Sequence, residues 1–494
     1  MNSLWSVALR TAGARNFGLN LVGTGLPLAV ALVAFPVIAH YAGTDRLGAL
    51  GITWALIGYL GLLDLGLTRV VVRRVSQAGA AAEIARETAL ASRIALSFLL
   101  ALVPIAAAVA WALPVYWIAP RADAALREET RVALWMVLLT LPVVVATGVL
   151  RGVLEGQQHF VWANVLRVFF GAWSFAAPAA AAVFAPTLPV LVATIVVGRL
   201  IALPVHIWVL RRITPAVQFD ERPTPLGPLL REGGWLTVSS AVSPLMVTMD
   251  RFVVGGLVSL AAVAYYTVPQ EIALRLLLIP AALAGTLFPM LAQAHGAGSA
   301  ERVNRLLARG VFGTLAIGLP MCVVFAAFAE PALALWMGPT FAQQSAPAAA
   351  VFASGLLANS VAQIPFAALQ SAGRSDLPAR LHLVELPLFL ALLYMLTSLG
   401  GLLGAACAWT LRTTADCAAL FWLARRLPGG ADAANHVMPL SVAYLVVLAT
   451  ALGTLALDGI ARWSVAAIAL CVASALAVRW GTRAASPTRI APAA

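Results

Sequence analysis

The stretch Leu47 to Ser76, LGALGITWALIGYLGLLDLGLTRVVVRRVS, limits what this chain can fold into more than any other. Most of it is apolar, over a length that exceeds the about 20 residues a helix needs to cross a bilayer. A single acid, Asp64, interrupts it near its end. The segment leaves the apolar phase through Arg69, Arg73 and Arg74, and a basic cluster beside a span marks the cytoplasmic side. This fixes an orientation for everything that follows.

Composition extends the argument to the whole chain. Hydrophobic residues make up 62% of the 494 and charged residues 11%, with a mean hydropathy of +0.92, values outside the range of soluble globular chains. A net charge of +12 would suit a nucleic-acid binder, but the arginines stand singly or in twos and threes at the ends of apolar runs. That is positive-inside topology, and no nucleic-acid partner is expected. Arginine supplies all 32 basic residues and no lysine occurs. A Walker A phosphate loop, a retinal Schiff base and the phosphorylation motif of P-type ATPases are thereby excluded.

Cys322, Cys407, Cys417 and Cys471 fall inside apolar runs with no C-x-x-C pair and read as small buried apolar residues. His40, His159, His206, His295, His382 and His436 lack metal-ligand spacing, so neither a metal site nor a cofactor is expected. Arg10 and Arg15 precede a run too long for a signal-peptide core, and no secretory signal is expected.

The expected architecture is all-α with about fourteen transmembrane helices. Residues 1–16 read as a cytoplasmic lead and 17–210 as a six-helix half, with spans at Phe17–Tyr41, the opening stretch, Ala89–Trp111, Val132–Val153, Val161–Val183 and Leu188–Leu210. Residues 211–232, with Arg211, Arg212, Arg222 and Arg231, form a cytoplasmic linker. A second six-helix half, 233–424, follows with spans at Gly233–Leu257, Ala262–Leu291, Val303–Phe328, Pro347–Leu369, Leu377–Leu396 and Leu402–Leu423. Residues 437–480 add two helices, and 481–494 form a polar tail.

Charge placement gives the same count by a separate route. Arg73, Arg74 and Arg86, then Arg302, Arg305 and Arg309, then Arg425 and Arg426, and Arg483 and Arg489 all fall on the expected cytoplasmic side. The exception, Arg121, Arg127 and Arg131, is interleaved with Asp123, Glu128 and Glu129. The halves also look like weak copies. LGALGITWALIGYL in the second span has its counterpart in Leu260–Leu274, LAAVAYYTVPQEIAL, and Pro27 matches Pro244 at nearly the same offset, as in an internally duplicated transporter.

The opening stretch, with the preceding NLVGTGLPLAVALVAFPVIAHYAGTDRLG, resembles the start of the polysaccharide transport proteins. These are the Wzx-type flippases of the multidrug/oligosaccharidyl-lipid/polysaccharide exporter superfamily. Ser239 to Gln293 is similar to the family's signature of an Asp-Arg pair, a glycine-containing exit, a Tyr-containing entry and a late proline, matched here by Asp250, Arg251, Tyr265, Tyr266 and Pro289. The resemblance implies a V-shaped bundle of two six-helix halves around a central cavity, with two helices after it. It also implies translocation of undecaprenyl-diphosphate-linked oligosaccharide across the bacterial cytoplasmic membrane by alternating access, for cell-surface polysaccharide synthesis. The partners it implies are that lipid-linked substrate, membrane lipids, and the polymerase and glycosyltransferases of the pathway, with the protein acting as a monomer.

Two relatives within the superfamily are alternatives. Lipid II flippases carry an Arg-Asp pair near the start of their first span, where this chain has Arg15 and Asn16 with no following acid. Cation-coupled multidrug exporters have twelve spans and a coupling acid in the first, whereas no acid occurs here from Met1 to Gly43. A membrane-bound polymerase or glycosyltransferase needs a large loop bearing carboxylates or a nucleophile, and no loop here holds a D-x-D pair. A transporter, not an enzyme, is expected.

Ionisable groups in hydrocarbon are costly, and each is a candidate for function. Arg412 and Asp416 are four apart, as are Glu271 and Arg275, so each pair can neutralise itself along one turn. Asp64 lies a turn from Thr68 and close to Arg69; with Arg412 and Asp416 these are expected in gating or helix-end pairing. Arg167, Arg199 and Glu385 have no partner within a turn, and unpaired guanidiniums suit a diphosphate headgroup. Arg167, Arg199, Asp250, Arg251, Glu271 and Arg275 are therefore the expected cavity residues. Glu271 and Glu385 are candidates for ion coupling, because a carboxyl group shielded from water can hold and release a proton near neutrality. Trp5, Trp54, Trp117, Trp336 and Trp463 read as interface anchors.

The even span count and the arginine placement put both termini in the cytoplasm. A cysteine at Ser299 is then protected from impermeant thiol reagents in intact cells and one at Thr44 is labelled. The opposite labelling overturns the orientation.

Overall fold

A helix satisfies its own backbone donors and acceptors, which hydrocarbon cannot do, and every described apolar segment takes that solution. The computed structural model describes residues 26–60, 67–77, 104, 120–213, 246, 248–428, 437–457 and 459–485. Its helices are α1 Leu26–Ala42, α2 Thr44–Leu60, α3 Leu67–Gln77, α4 Ala124–Leu139, α5 Leu141–Gly156, α6 Phe160–Phe184 and α7 Leu188–Ile213. A short α8 covers residues 248–257. Then come α9 Leu260–Leu276, α10 Leu278–Gly296, α11 Ala300–Met337, α12 Pro339–Ser371, α13 Asp376–Ala424, α14 Val437–Ala456 and α15 Gly459–Ala485. No strand occurs among the described residues, and nine helical stretches among them are long and apolar enough to cross a membrane. This is an all-α, multi-pass membrane protein. The expected third span, Ala89–Trp111, lies outside the described residues except for Pro104, as does the linker beyond Ile213.

Side chains on the outer faces match that solvent. Leu335, Phe184 and Ile460 are almost fully exposed, as lipid-facing positions allow. Trp463 is also exposed and rests on Phe328, ring centroids 5.5 Å apart. Trp54 departs from its expected place at the membrane interface. Its Nε1 donates to the Ser174 carbonyl at 3.2 Å and its ring packs on Phe35 and Phe175, so an indole in the second span serves helix packing.

Contacts divide the chain into two units, Met1–Ala264 and Tyr265–Ala494. In the first, α5 packs on α2, α3, α4, α6 and α7. Gly152 and Gly156 of α5 let the backbone of α3 come close, since a Cβ at either would meet Thr68 or Val75 at under 3.0 Å. In the second, α12 plays the central part, packing on α10, α11, α13 and α14. Its sequence explains this: Ala348, Ala349, Ala350, Ala353, Ser354, Gly355 and Ala358 are all buried, and small residues let helices approach. Gly355 seats the Trp409 ring. Trp409, Phe352 and Tyr266 then form a buried edge-to-face ladder joining α13, α12 and α9.

α13 contains two arms. Gly401 sits at φ 55, ψ −133, inside what is otherwise continuous helix, a conformation that side chains with a Cβ rarely adopt. The chain reverses there, and Gly404 lies against the Leu396 carbonyl so closely that no Cβ fits. The arms correspond to the expected spans Leu377–Leu396 and Leu402–Leu423.

In the first unit α2 meets the start of α9. Asp45 Oδ1 accepts from the Ala261 N–H at 3.1 Å, and Gly48 lies against the Leu260 carbonyl, where a Cβ would overlap backbone. Gly48→Ala should destabilise the fold by roughly 1–3 kcal/mol through overpacking. Gly58→Ala, which meets nothing within 4 Å, should stay within about 0.5 kcal/mol of the parent. Thermal unfolding of detergent-purified protein checks both, and equal midpoints for the two variants overturn the contact.

Candidate functional site

Among the described residues, each unit brings together a cluster of charged side chains from different helices or arms. In the first unit Arg151 and Glu155 occupy successive turns of α5, and a short reversal through Gln157, Gln158 and His159 starts α6. Gln158 takes a positive φ of 61 in that turn. The reversal places Arg167 of α6 beside Glu155, so that its Nη2 donates to Glu155 Oε1 at 2.9 Å. Arg151 Nε lies 3.6 Å from the same oxygen, which is ion-pair distance without a hydrogen bond.

On α7, Gly198 accommodates the Trp173 ring, whose Nε1 donates to the Thr194 carbonyl at 2.9 Å. Next to Gly198 stands Arg199, within electrostatic reach of Arg151. The Nε atoms of Arg151 and Arg199 are buried and have no hydrogen-bond acceptor among the described residues. His206, two turns further on, is buried against Phe170 with Nδ1 2.7 Å from the Ala202 carbonyl. Two guanidiniums thus share one carboxylate, a third stands near Arg151 with no acid beside it, and the excess positive charge calls for an anion.

In the second unit the two arms of α13 face one another. His382 Nε2 lies 3.4 Å from Asp416 Oδ1, and Arg412 Nη1 lies 3.9 Å from Glu385 Oε1. Donor atoms of His382, Glu385 and Asp416 fall within 4.8 Å of one another. His382 stacks on Phe366 of α12, and Arg412 lies over Phe389. One imidazole and two carboxylates in so small a space, with a guanidinium beside them, place three donor groups where they can enclose a small cation.

The remaining expected residues sit elsewhere. Asp250 and Arg251 are buried at 0% and 5% exposure. Asp250 Oδ1 accepts from the Arg251 N–H at 2.8 Å, while Arg251 Nη1 reaches the Gly51 carbonyl of α2 at 3.4 Å. Arg275 Nη2 donates to Glu271 Oε2 at 3.3 Å along α9. Asp64 lies outside the described residues, and of Arg69 only the backbone, in α3, is described. Arg412 and Asp416, read from the sequence as able to neutralise one another, have these partners on the opposite arm.

Four participants escaped the sequence reading. Arg151 and Glu155 form an ordinary i, i+4 pair whose third member is on another helix. His382 lacks ligand spacing along the chain, and its partner Asp416 lies on the other arm, beyond the reversal at Gly401. Glu129, interleaved in the sequence with the outer-loop arginines, holds Arg46 through two 2.7 Å bonds and also accepts from the Leu188 N–H at 2.9 Å. An apolar groove of about 440 Å³ on α12, α13 and α14, walled by Phe421, Trp422 and Leu445, holds no member of either charged cluster.

A bundle of membrane-crossing helices carrying charge clusters on those helices, with no large polar domain among the described residues, is the build of a membrane transporter. The model of the polysaccharide biosynthesis protein family matches residues 14–295, more than half of the chain, and the chain belongs to that family. The MatE model matches residues 236–395. A Shigella flexneri protein named as an O-antigen transporter is 28% identical over 409 residues, which are 83% of this chain and 96% of the relative. Among solved structures, the lipid II flippase MurJ in an inward closed conformation superimposes with a TM-score of 0.69 at 12% identity, over 94% of this chain and 98% of that one. A multidrug-resistance MATE transporter in an inward-facing conformation gives 0.64 at 14% identity, over 86% and 98%. The fold is that of these transporters, and the family is one of flippases and exporters of polysaccharide biosynthesis, not of enzymes.

Removing one partner of a buried ion pair leaves the other charge stranded, at roughly 3–5 kcal/mol, and removing both costs much less. Glu385→Ala and Arg412→Ala should each lower the yield of monodisperse protein in size-exclusion chromatography, and the double variant should recover most of it. Single variants with parental yield contradict a structural contribution from the pair.

Proposed function

We propose that this protein carries undecaprenyl-diphosphate-linked oligosaccharide from the inner to the outer leaflet of the bacterial cytoplasmic membrane by alternating access, supplying cell-surface polysaccharide synthesis. The observation that carries this reading is the arginine cluster of α5, α6 and α7, in which Arg151 and Arg167 share Glu155 and Arg199 stands near Arg151 without an acid of its own. Guanidinium matches phosphate oxygens with paired donors, and a diphosphate is the one strongly anionic part of such a substrate. The O-antigen transporter similarity supports the same substrate class. In this reading Arg199 and Arg167 hold the headgroup, both termini are cytoplasmic, and the protein acts as a monomer.

An ion gradient, or the substrate gradient alone, drives transport, since a chain without lysine offers no Walker A loop for ATP. Glu385 is the coupling acid in this reading, with His382 and Asp416 beside it. Glu271, the other candidate, is engaged by Arg275.

Loss of a charged hydrogen-bond partner costs roughly 1.5–3 kcal/mol, or one to two decades of affinity. Arg199→Ala should therefore reduce glycan export in a strain that depends on this protein while leaving its abundance unchanged. Arg199→Lys should restore export in part, because a point charge lacks the planar fork. Unchanged export, or export lost only in proportion to abundance, refutes the headgroup site.

A further inference from the structure

Glu155 is the only acid that any of the three arginines contacts among the described residues. It takes one hydrogen bond from Arg167 at 2.9 Å and lies 3.6 Å from Arg151, so a single carboxylate oxygen serves two guanidiniums. Neither contact is sealed from solvent, since the Glu155 side chain is 25% exposed and those of Arg151 and Arg167 about 40%. An exposed pair of this kind is weak and easily exchanged. Arg199 has no acid beside it, and the buried Nε donors of Arg151 and Arg199 still lack acceptors. A buried N–H without an acceptor is unfavourable, and an oxygen-rich anion entering here satisfies both.

We propose that Glu155 is an internal counter-ion which occupies Arg151 and Arg167 in the free protein and is displaced by the incoming diphosphate. The carboxylate and the ligand's oxygens compete for the same donors. A single anionic group can at most take the place of Glu155 on Arg151 and Arg167, whereas a diphosphate carries a second anionic group that can also engage Arg199. The exchange thus favours bis-anionic ligands over mono-anionic ones, and the returning carboxylate helps expel the headgroup after transport. This rests on the headgroup reading given above, to which it adds a residue that sets affinity and selectivity without itself touching the ligand.

The experiment is isothermal titration of the full-length protein in detergent at low salt with inorganic pyrophosphate and, separately, farnesyl diphosphate, using inorganic phosphate for comparison. Glu155→Gln removes the competing charge and should tighten both diphosphates by about two- to fivefold, the range a partly exposed pair allows. The preference over phosphate should shrink in that variant. Glu155→Asp keeps the charge but draws it back from Arg167 by one methylene, and should move affinity part of the way. Tightening of farnesyl diphosphate alone supports the exchange and assigns the site to a lipid headgroup; tightening of both supports it for the diphosphate group from either source. Diphosphate binding that needs Arg167 and Arg199 but is unchanged in both Glu155 variants overturns the counter-ion role and leaves the headgroup reading standing. Binding that survives Arg167→Ala and Arg199→Ala, or no diphosphate binding by the parent and either Glu155 variant, overturns both.

Discussion

Hydrocarbon gives a helix no reason to prefer another helix over lipid, because the tails are as apolar as leucine. Specific association then has to come from close backbone approach and from polar groups that lipid cannot satisfy. This chain uses both. Gly48 brings α2 onto the Leu260 carbonyl, Gly404 brings the second arm of α13 onto Leu396, and the small residues of α12 make it the helix against which its unit packs. Large aromatics enter where a small neighbour makes room, as Trp409 does at Gly355 and Trp173 at Gly198. Without these contacts the long apolar helices would have length and hydropathy but no fixed neighbours.

Charge supplies the second kind of specificity, differently in the two units. Arg46 reaches from α2 to Glu129 of α4, and Glu129 also caps the start of α7 through the Leu188 N–H, so one carboxylate joins three helices. Glu330 of α11 pairs with Arg462 of α15, and the arms of α13 exchange two contacts. In each case an acid stands beside a basic side chain on another helix or arm. The arginines of α5, α6 and α7 depart from this pattern by carrying more positive charge than their acid neutralises, and an uncompensated charge away from water is retained only where something offsets its cost.

What could be read from the sequence follows from which interactions are local. Span length, apolar runs and arginine-rich boundaries are local properties, so the all-α membrane fold and the helices from Val161 to Leu210 were legible. Partners across helices are not local. Arg412 and Asp416 satisfy the i, i+4 rule, yet residues four apart project from one face, and that face looks onto the other arm with Glu385 and His382. Trp54 reads as an interface anchor by its position near a span end, and Phe175 and the Ser174 carbonyl, which sit on α6, hold it inside instead. His382 had no sequence neighbour to mark it, because its partners lie beyond the reversal at Gly401.

A flippase must bind its headgroup on one side and let it go on the other, and a ligand shifts a conformational equilibrium only through differential affinity for the two states. On the proposed reading the two charge clusters supply that difference by separate means. In the first unit a weak carboxylate contact to Arg167 and Arg151 is exchanged for phosphate oxygens, so the bound and free states differ by which anion the guanidiniums hold and not by whether they are neutralised. That moderates the binding strength by the few-fold that a weak, partly exposed pair is worth, in the direction that favours release. In the second unit the set of His382, Glu385, Arg412 and Asp416 is near balance, and gain or loss of a proton or a small cation tips it. Balanced charge is what makes such a set responsive: a strongly matched bidentate pair like that of Arg46 with Glu129 would resist the same change.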